Sequence, residues 1–171
     1  MQKKILYIDL DGVVADFDKH IRTVYPAFDR DFIDEQSRHD KVDEIAGNDP
    51  HLFQFLHFIK DAKKSVLVLT KYYDVYFLST PMWKIPESYA GKRIWIRNNF
   101  GEYFDKRLIL THRKDLCIGD YLIDDKKVNG AGEFKGMHIH FGVGQFQDWL
   151  EVENYLVLQY YKNHHTNVAT A

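Results

Sequence analysis

The sequence predicts an α/β protein of three layers, a doubly wound parallel sheet with helices on both faces and a small helical cap inserted after the first strand. Three observations carry that expectation. Five short apolar runs stop abruptly in polar or turn residues, stretches of helical period lie between them, and one long connection interrupts the alternation. The expected division is a core from residues 1–16 and 61–171, with a cap from residues 17–60.

The first run, Lys4 to Asp9 within MQKKILYIDLDG, is basic and then apolar. Asp9 breaks it after a handful of residues and no small-residue cleavage pattern follows, so it reads as a strand rather than a leader. Later runs are Val75 to Ser79, Arg107 to Thr111, Tyr121 to Asp124 and Met137 to Phe141. Their apolarity is continuous rather than alternating, as strands buried on both faces of a parallel sheet require. Ala62, Val66, Leu69 and Tyr73 recur at helical spacing before the second run. Ile94, Trp95, Asn98 and Phe100 fall in a helix-like stretch that closes at Gly101, a C-terminal stop. The aromatic, amphipathic segment from Gln145 to Tyr161 is expected to be a final helix on the sheet.

The connection at 17–60 is rich in charge, His and Phe and reads as strandless, which suits a helical lid above the strand ends. His20, His39, His51 and His57 lie within it without the regular spacing of a metal site.

A chain of 171 residues fits one core with an appendage. Its net charge of −2 gives no broad basic field, so a long nucleic-acid polymer is not an expected partner. Cys117 is the only cysteine, which excludes an internal disulfide or a Cys-rich zinc site and fits a reducing compartment; it is expected to be a small buried apolar residue. No apolar stretch is long enough for a bilayer, so a soluble, cytoplasmic protein without membrane contact is expected. The surplus of aromatics can serve a core or a homodimer interface equally well.

Ligands of such sheets bind at the carboxyl ends of the strands, so the residues where the runs stop define the candidate site. The first run ends in Asp9 and Asp11, the second in Ser79 and Thr80, the third leads to Lys114, and the fourth ends in Asp124 and Asp125. Two carboxylates one residue apart should repel each other unless a cation lies between them. Carboxylates from separate strands make an oxygen-rich site for Mg²⁺, which also binds phosphate oxygens. Asp9 can then attack phosphorus as a nucleophile, and Asp11 can protonate the leaving oxygen and later deprotonate water. A hydroxyl of Ser79 or Thr80 can hold a phosphoryl oxygen, Lys114 can neutralise its growing charge, and Gly12 lets amides of the turn face the phosphate. Each feature alone has an ordinary reading: an Asp-x-Asp turn in solvent, an Asp-Asp cap, a surface lysine. Their joint occurrence, in order and each at a strand end, favours the chemistry.

At these residues the chain resembles the haloacid dehalogenase (HAD) superfamily of phosphohydrolases, whose core is a Rossmann-like sheet. Its four motifs are met in order by DLDGV at Asp9 to Val13, the strand ending in Ser79-Thr80, Lys114, and LIDD at Leu122 to Asp125. More narrowly, DLDGVVADF, LSTP, LILTHRKD and YLIDD are similar to the 5'(3')-deoxyribonucleotidase branch. The resemblance implies a Mg²⁺-dependent phosphomonoesterase acting on deoxyribonucleoside monophosphates through an aspartyl-phosphate. It implies Asp9 as nucleophile and metal ligand, Asp11 as acid/base with its carbonyl on the metal, Asp125 as direct ligand with Asp124 beside it, and Ser79, Thr80 and Lys114 on the phosphate. Lys92 lies where the branch often has a second phosphate lysine, against its reading as a surface lysine. Phe17 falls on the phenylalanine of the ADF motif and is either pocket or core. Phe53 lies near another aromatic position of the nucleoside pocket, while packing in the core is the plainer reading for Phe53 and Phe55. THRK departs from the branch by placing His112-Arg113 before the lysine.

A phosphatase for another small ester, such as a sugar phosphate, remains an alternative. A phosphoacceptor receiver domain uses similar residues but in a different chain order, since here the second acid group follows the lysine.

Overall fold

The computed structural model describes residues 2–28 and 34–165; residues 29–33 of the expected cap lie outside them. Five strands, β1 (Ile5–Ile8), β4 (Asp74–Ser79), β5 (Leu108–Leu110), β6 (Tyr121–Asp124) and β7 (Met137–His140), form a wholly parallel sheet in the order β5-β4-β1-β6-β7. The chain first winds from β1 to β4 and β5, then crosses back to β6 and β7. The winding therefore reverses between β1 and β6, where open α/β sheets form a crevice at the strand carboxyl ends.

Alternate residues of each strand face opposite sides. Leu6, Ile8, Val75, Phe77, Tyr121 and Ile123 form the larger cluster, and α3 (Ala62–Leu69), α4 (Pro86–Phe100) and α5 (Trp149–His165) pack on it through residues such as Val66, Trp95 and Trp149. The helices begin and end where local chemistry dictates. Pro86 opens α4, Gly101 closes it at φ 72°, and the Asp148 carboxylate accepts from the amides of Leu150 and Glu151 at the start of α5.

The parallel α/β sheet is as the sequence predicts, but the helical layer differs on the second face. Tyr7, Leu78 and Leu122 are covered there by Ala131 and Phe134, with Cys117 half-buried beside them rather than fully enclosed; among the described residues no α-helix contributes to this cluster. The connections 111–120 and 125–136 hold turns, among them a short 3-10 turn at Lys114–Leu116, instead of crossover helices. Their apolar residues are too sparse to give a helix a face to bury.

The insertion is also different from the strandless connection expected. It leaves the core through β2 (Ala15–Asp16) and returns through β3 (His57–Phe58), paired antiparallel, and the Ile59 amide adds a bond to the Val14 carbonyl at 2.9 Å. Strands of two residues carry no legible period. Buried tryptophans pin both sides of this neck: the Trp149 indole donates to the Val13 carbonyl at 2.7 Å, and the Trp95 indole to the Leu56 carbonyl at 2.9 Å. Between the two strands lie α1 (Phe17–Val24), capped by Asp16, and α2 (Glu35–Asn48), opened by a capping box of Asp34 and Ser37.

A 3-10 turn at Leu52–Gln54 then lays Phe53 against α4. Gly91 permits that approach, since a Cβ there would sit 2.7 Å from the Phe53 Cβ. Phe53 is buried as the packing reading expected, whereas Phe55 is 66% exposed, because the turn ends there and aims its ring at solvent. Among the described residues no helix is long and apolar enough to cross a membrane.

Candidate active site

The β1–β6 register pairs Ile8 with Ile123, and continuing it by one residue sets Asp9 beside Asp124. The Asp9 amide confirms the alignment by donating to the Ile123 carbonyl at 2.9 Å. Asp9, Asp124 and Asp125 thereby bring carboxylate oxygens within 4.8 Å of one another. Lys114, 3% exposed, reaches in from its turn to lie 3.0 Å from the Asp9 carboxylate and 2.5 Å from Asp124.

Two of the three carboxylates, Asp9 and Asp124, thus share one ammonium, and the charge balance is visible in the acidities of the group. Burial alone would lower the Lys114 pKa, but the charges of Asp9 and Asp124 outweigh it and hold the ammonium above its ordinary value. Burial, and then the negative charge of Asp9, pushes Asp125 up to about 7 against the weaker pull of Lys126. The carboxylates outnumber the ammonium, and a cation would neutralise the excess. Asp125 Oδ1 is buried with no hydrogen-bond partner, while both Asp124 oxygens are engaged, one by Lys114 and one by the Lys126 amide. The donor set fits a hard divalent ion such as Mg²⁺, with Asp9 and Asp125 free to reach it and Asp124 held by the lysine.

The second half of the site lies toward α4. Lys92 is 2% exposed, forms an ion pair with Asp11 and donates to Ser79 Oγ at 3.2 Å, so its reading as a surface lysine is overturned. It sits on the inner side of α4, next to Gly91 and with its ammonium 5.3 Å from the Phe53 ring. The Thr80 hydroxyl donates to the Thr111 carbonyl at 3.0 Å, which ties the β4 and β5 ends together. Beside Asp11 opens a cavity of about 320 Å³ between insertion and core, lined among others by Phe17, Phe53, Arg38, Trp83 and Lys126. Phe17 stacks on Phe53 with ring centres 5.5 Å apart. A larger hollow of about 600 Å³ between α4 and β5 holds none of the clustered carboxylates.

Residues 3–158 match the family described as 5' nucleotidase, deoxy (pyrimidine), cytosolic type C protein. The chain belongs to this nucleotidase family. A provisionally named 5'(3')-deoxyribonucleotidase of Vibrio phage KVP40 is 43% identical over 90% of this chain and 85% of its own length. The human 5'(3')-deoxyribonucleotidase, cytosolic type, is 30% identical over 70% of this chain and 69% of its own. Among solved structures, the Bacillus subtilis HAD-hydrolase YfnB, described as bound to magnesium, superposes with a TM-score of 0.56 at 10% identity, covering 91% of this chain and 99% of that one. A haloacid dehalogenase-like hydrolase from Xanthomonas campestris gives 0.51 at 12% identity, over 82% and 84%. This nucleotidase-family member is a hydrolase of the phosphomonoester class with a HAD-like fold.

Two parts of the nucleotidase site differ from the sequence reading. The Gly12 amide does not face a phosphate: it donates to the Ala15 carbonyl, and the amides of Val13, Val14 and Ala15 all turn to Leu10. The need for glycine is steric, because φ is +80° and a Cβ would lie 2.4 Å from Asp125 Oδ2. Gly12→Ala is therefore expected to displace the Asp125 carboxylate and weaken Mg²⁺ binding about tenfold, read by calorimetric titration of the metal. Unchanged metal affinity would show that Asp125 is not held by this contact.

His138 and His140 were missed altogether. Their rings stack 5.5 Å apart, and their Nε2 atoms approach the backbone carbonyls of Asp124 at 3.3 Å and Asp125 at 3.0 Å, bracing the β6 end from behind. Alternation along MHIH was the one available signal. Among the described residues, the histidines of the insertion form no metal cluster.

Proposed function

We propose that the protein is a Mg²⁺-dependent phosphomonoesterase that hydrolyses 5'(3')-deoxyribonucleoside monophosphates to nucleoside and phosphate through an aspartyl-phosphate on Asp9. The observation that carries the reading is the convergence of Asp9, Asp124 and Asp125 around Lys114, with Lys92 and Ser79 alongside and an aromatic cavity next to them. The names of the phage and human relatives supply the substrate class.

In the first half-reaction an Asp9 oxygen forms a bond to phosphorus as the ester P–O bond breaks, and Asp11 gives a proton to the departing alkoxide. In the second, Asp11 takes a proton from water as that water attacks phosphorus, the Asp9–phosphorus bond breaks, and orthophosphate leaves. Lys114 holds Asp9 in line and offsets charge on the phosphoryl oxygens. Ser79 and Lys92 grip the same oxygens, and Thr80 joins them once its hydroxyl turns away from the Thr111 carbonyl. A phosphoryl group arriving between Lys92 and Ser79 takes over the ammonium now paired with Asp11, which frees the Asp11 carboxyl to reach the ester oxygen. Mg²⁺ held by Asp9, Asp125 and the Asp11 carbonyl, with Asp124 beside it, would polarise the phosphoryl group and cancel the repulsion among the carboxylates. Phe17 and Phe53 wall the nucleoside side. We propose the cap as residues 17–60, which run from the end of β2 through β3.

A phosphate-release screen across nucleoside monophosphates, deoxynucleoside monophosphates and sugar phosphates tests the assignment. Deoxyribonucleoside monophosphates are expected to lead, EDTA to silence turnover, and Mg²⁺ to restore it. A lead by sugar phosphates would remove the nucleotide from the reading. Full activity in EDTA would remove the metal.

A further inference from the structure

We infer that Trp83 is the base-recognition residue of this site, stacking its indole on the nucleobase and so selecting nucleotides over phosphate esters that have no base. The inference rests on the nucleotidase reading above and deepens it. Of the three tryptophans, Trp95 and Trp149 are 2% and 0% exposed and their N–H groups are bonded, whereas Trp83 is 80% exposed. An indole is among the side chains that gain most from being covered. Left open at a cavity wall, it is a surface waiting for a flat apolar partner.

Its place in the site says which partner. Trp83 lines the cavity that also contains Asp11, Phe17 and Phe53. The phosphate end of that cavity is marked by the Lys92 contacts to Asp11 and Ser79, and Phe53 lies next to that ammonium. Trp83 follows Thr80 by three residues, so it stands at most about 10 Å further along the chain, the scale on which a nucleotide separates its base from its phosphate.

Two contacts keep the indole in position without covering it. Trp83 meets His112, from the connection after β5, nearly at right angles at 5.6 Å. The next residue, Lys84, pairs with Asp43 of α2 at 3.5 Å, which joins this turn to the insertion. His112, a departure from the pattern of the branch, thus acquires a role as the brace of Trp83. Stacking needs only a π-face, so Trp83 reads the presence of a base rather than its identity.

The test uses thymidine 5'-monophosphate and 2-deoxyribose 5-phosphate, which share the sugar phosphate and differ in the base. Trp83→Ala is expected to lower the ratio of kcat/KM for the nucleotide over that for the sugar phosphate about tenfold, mainly through KM. Trp83→Phe keeps a ring and is expected to restore most of it. In the full chain carrying Asp9→Asn, to prevent turnover, thymidine monophosphate should quench tryptophan emission and 2-deoxyribose 5-phosphate should not. The quench should vanish when Trp83→Phe is added. A ratio that changes less than about twofold in Trp83→Ala, with the nucleotide still hydrolysed, overturns the inference and leaves the nucleotidase reading standing. Wild-type turnover of the sugar phosphate alone overturns both.

Discussion

Asp9→Asn is expected to lower kcat by about 10⁴-fold or more without unfolding the protein. The amide is isosteric but cannot become the acyl phosphate on which both half-reactions of the proposed mechanism depend. The same substitution removes one charge from a cluster in which Asp9 is the neighbour that raises Asp125, after burial itself. Metal-free stability should therefore stay level or rise while catalysis disappears. Phosphate release and thermal melts in EDTA measure the two effects on one preparation. Wild-type turnover in this variant would take the nucleophile away from Asp9, and a collapsed melt would show that its charge is needed for folding rather than chemistry.

Lys114→Met is expected to act in the opposite sense on stability. It leaves Asp9 and Asp124 without their shared counter-charge at a place where Lys114 is 3% exposed. Removing one member of a buried ion pair costs about 3–5 kcal/mol, which for a chain of this size lowers the melting temperature by about 10 °C. Turnover should fall by about 10²–10³-fold, because a positive group near the developing phosphoryl charge is lost. Added Mg²⁺ should recover more stability in the variant than in the parent, since it replaces part of the missing charge. A melt unchanged in EDTA would mean that the acid cluster is already neutralised by protons.

The acid cluster was legible because chemistry and topology coincide there. Asp9, Asp124 and Asp125 each close an apolar run, and continuous apolarity of that kind suits strands buried on both faces of a parallel sheet. The register that sets Asp9 beside Asp124 follows from that sheet. Lys92 was less legible, since helical period sorts apolar from polar residues and cannot tell a charge facing solvent from one facing Asp11 and Ser79. Phe55 and Phe53 show the same difficulty at closer range, two residues apart with one ring buried and the other in water. His138 and His140 act through backbone carbonyls, and the alternation along MHIH does not reveal those partners. The two-residue strands of the neck and the turns replacing helices on the second face are too short or too sparse for any periodicity to register.

The neck has an evolutionary corollary. Because the excursion departs and rejoins through one short ladder, clamped by Trp149 on one side and Trp95 on the other, the framework fixes only where its two ends meet. Whatever lies between them can be lengthened, shortened or exchanged at a small entropic cost in closure and with no change to the clustered carboxylates of the sheet. One chassis can in this way accept new specificities as modular grafts, while the machinery beneath is inherited intact.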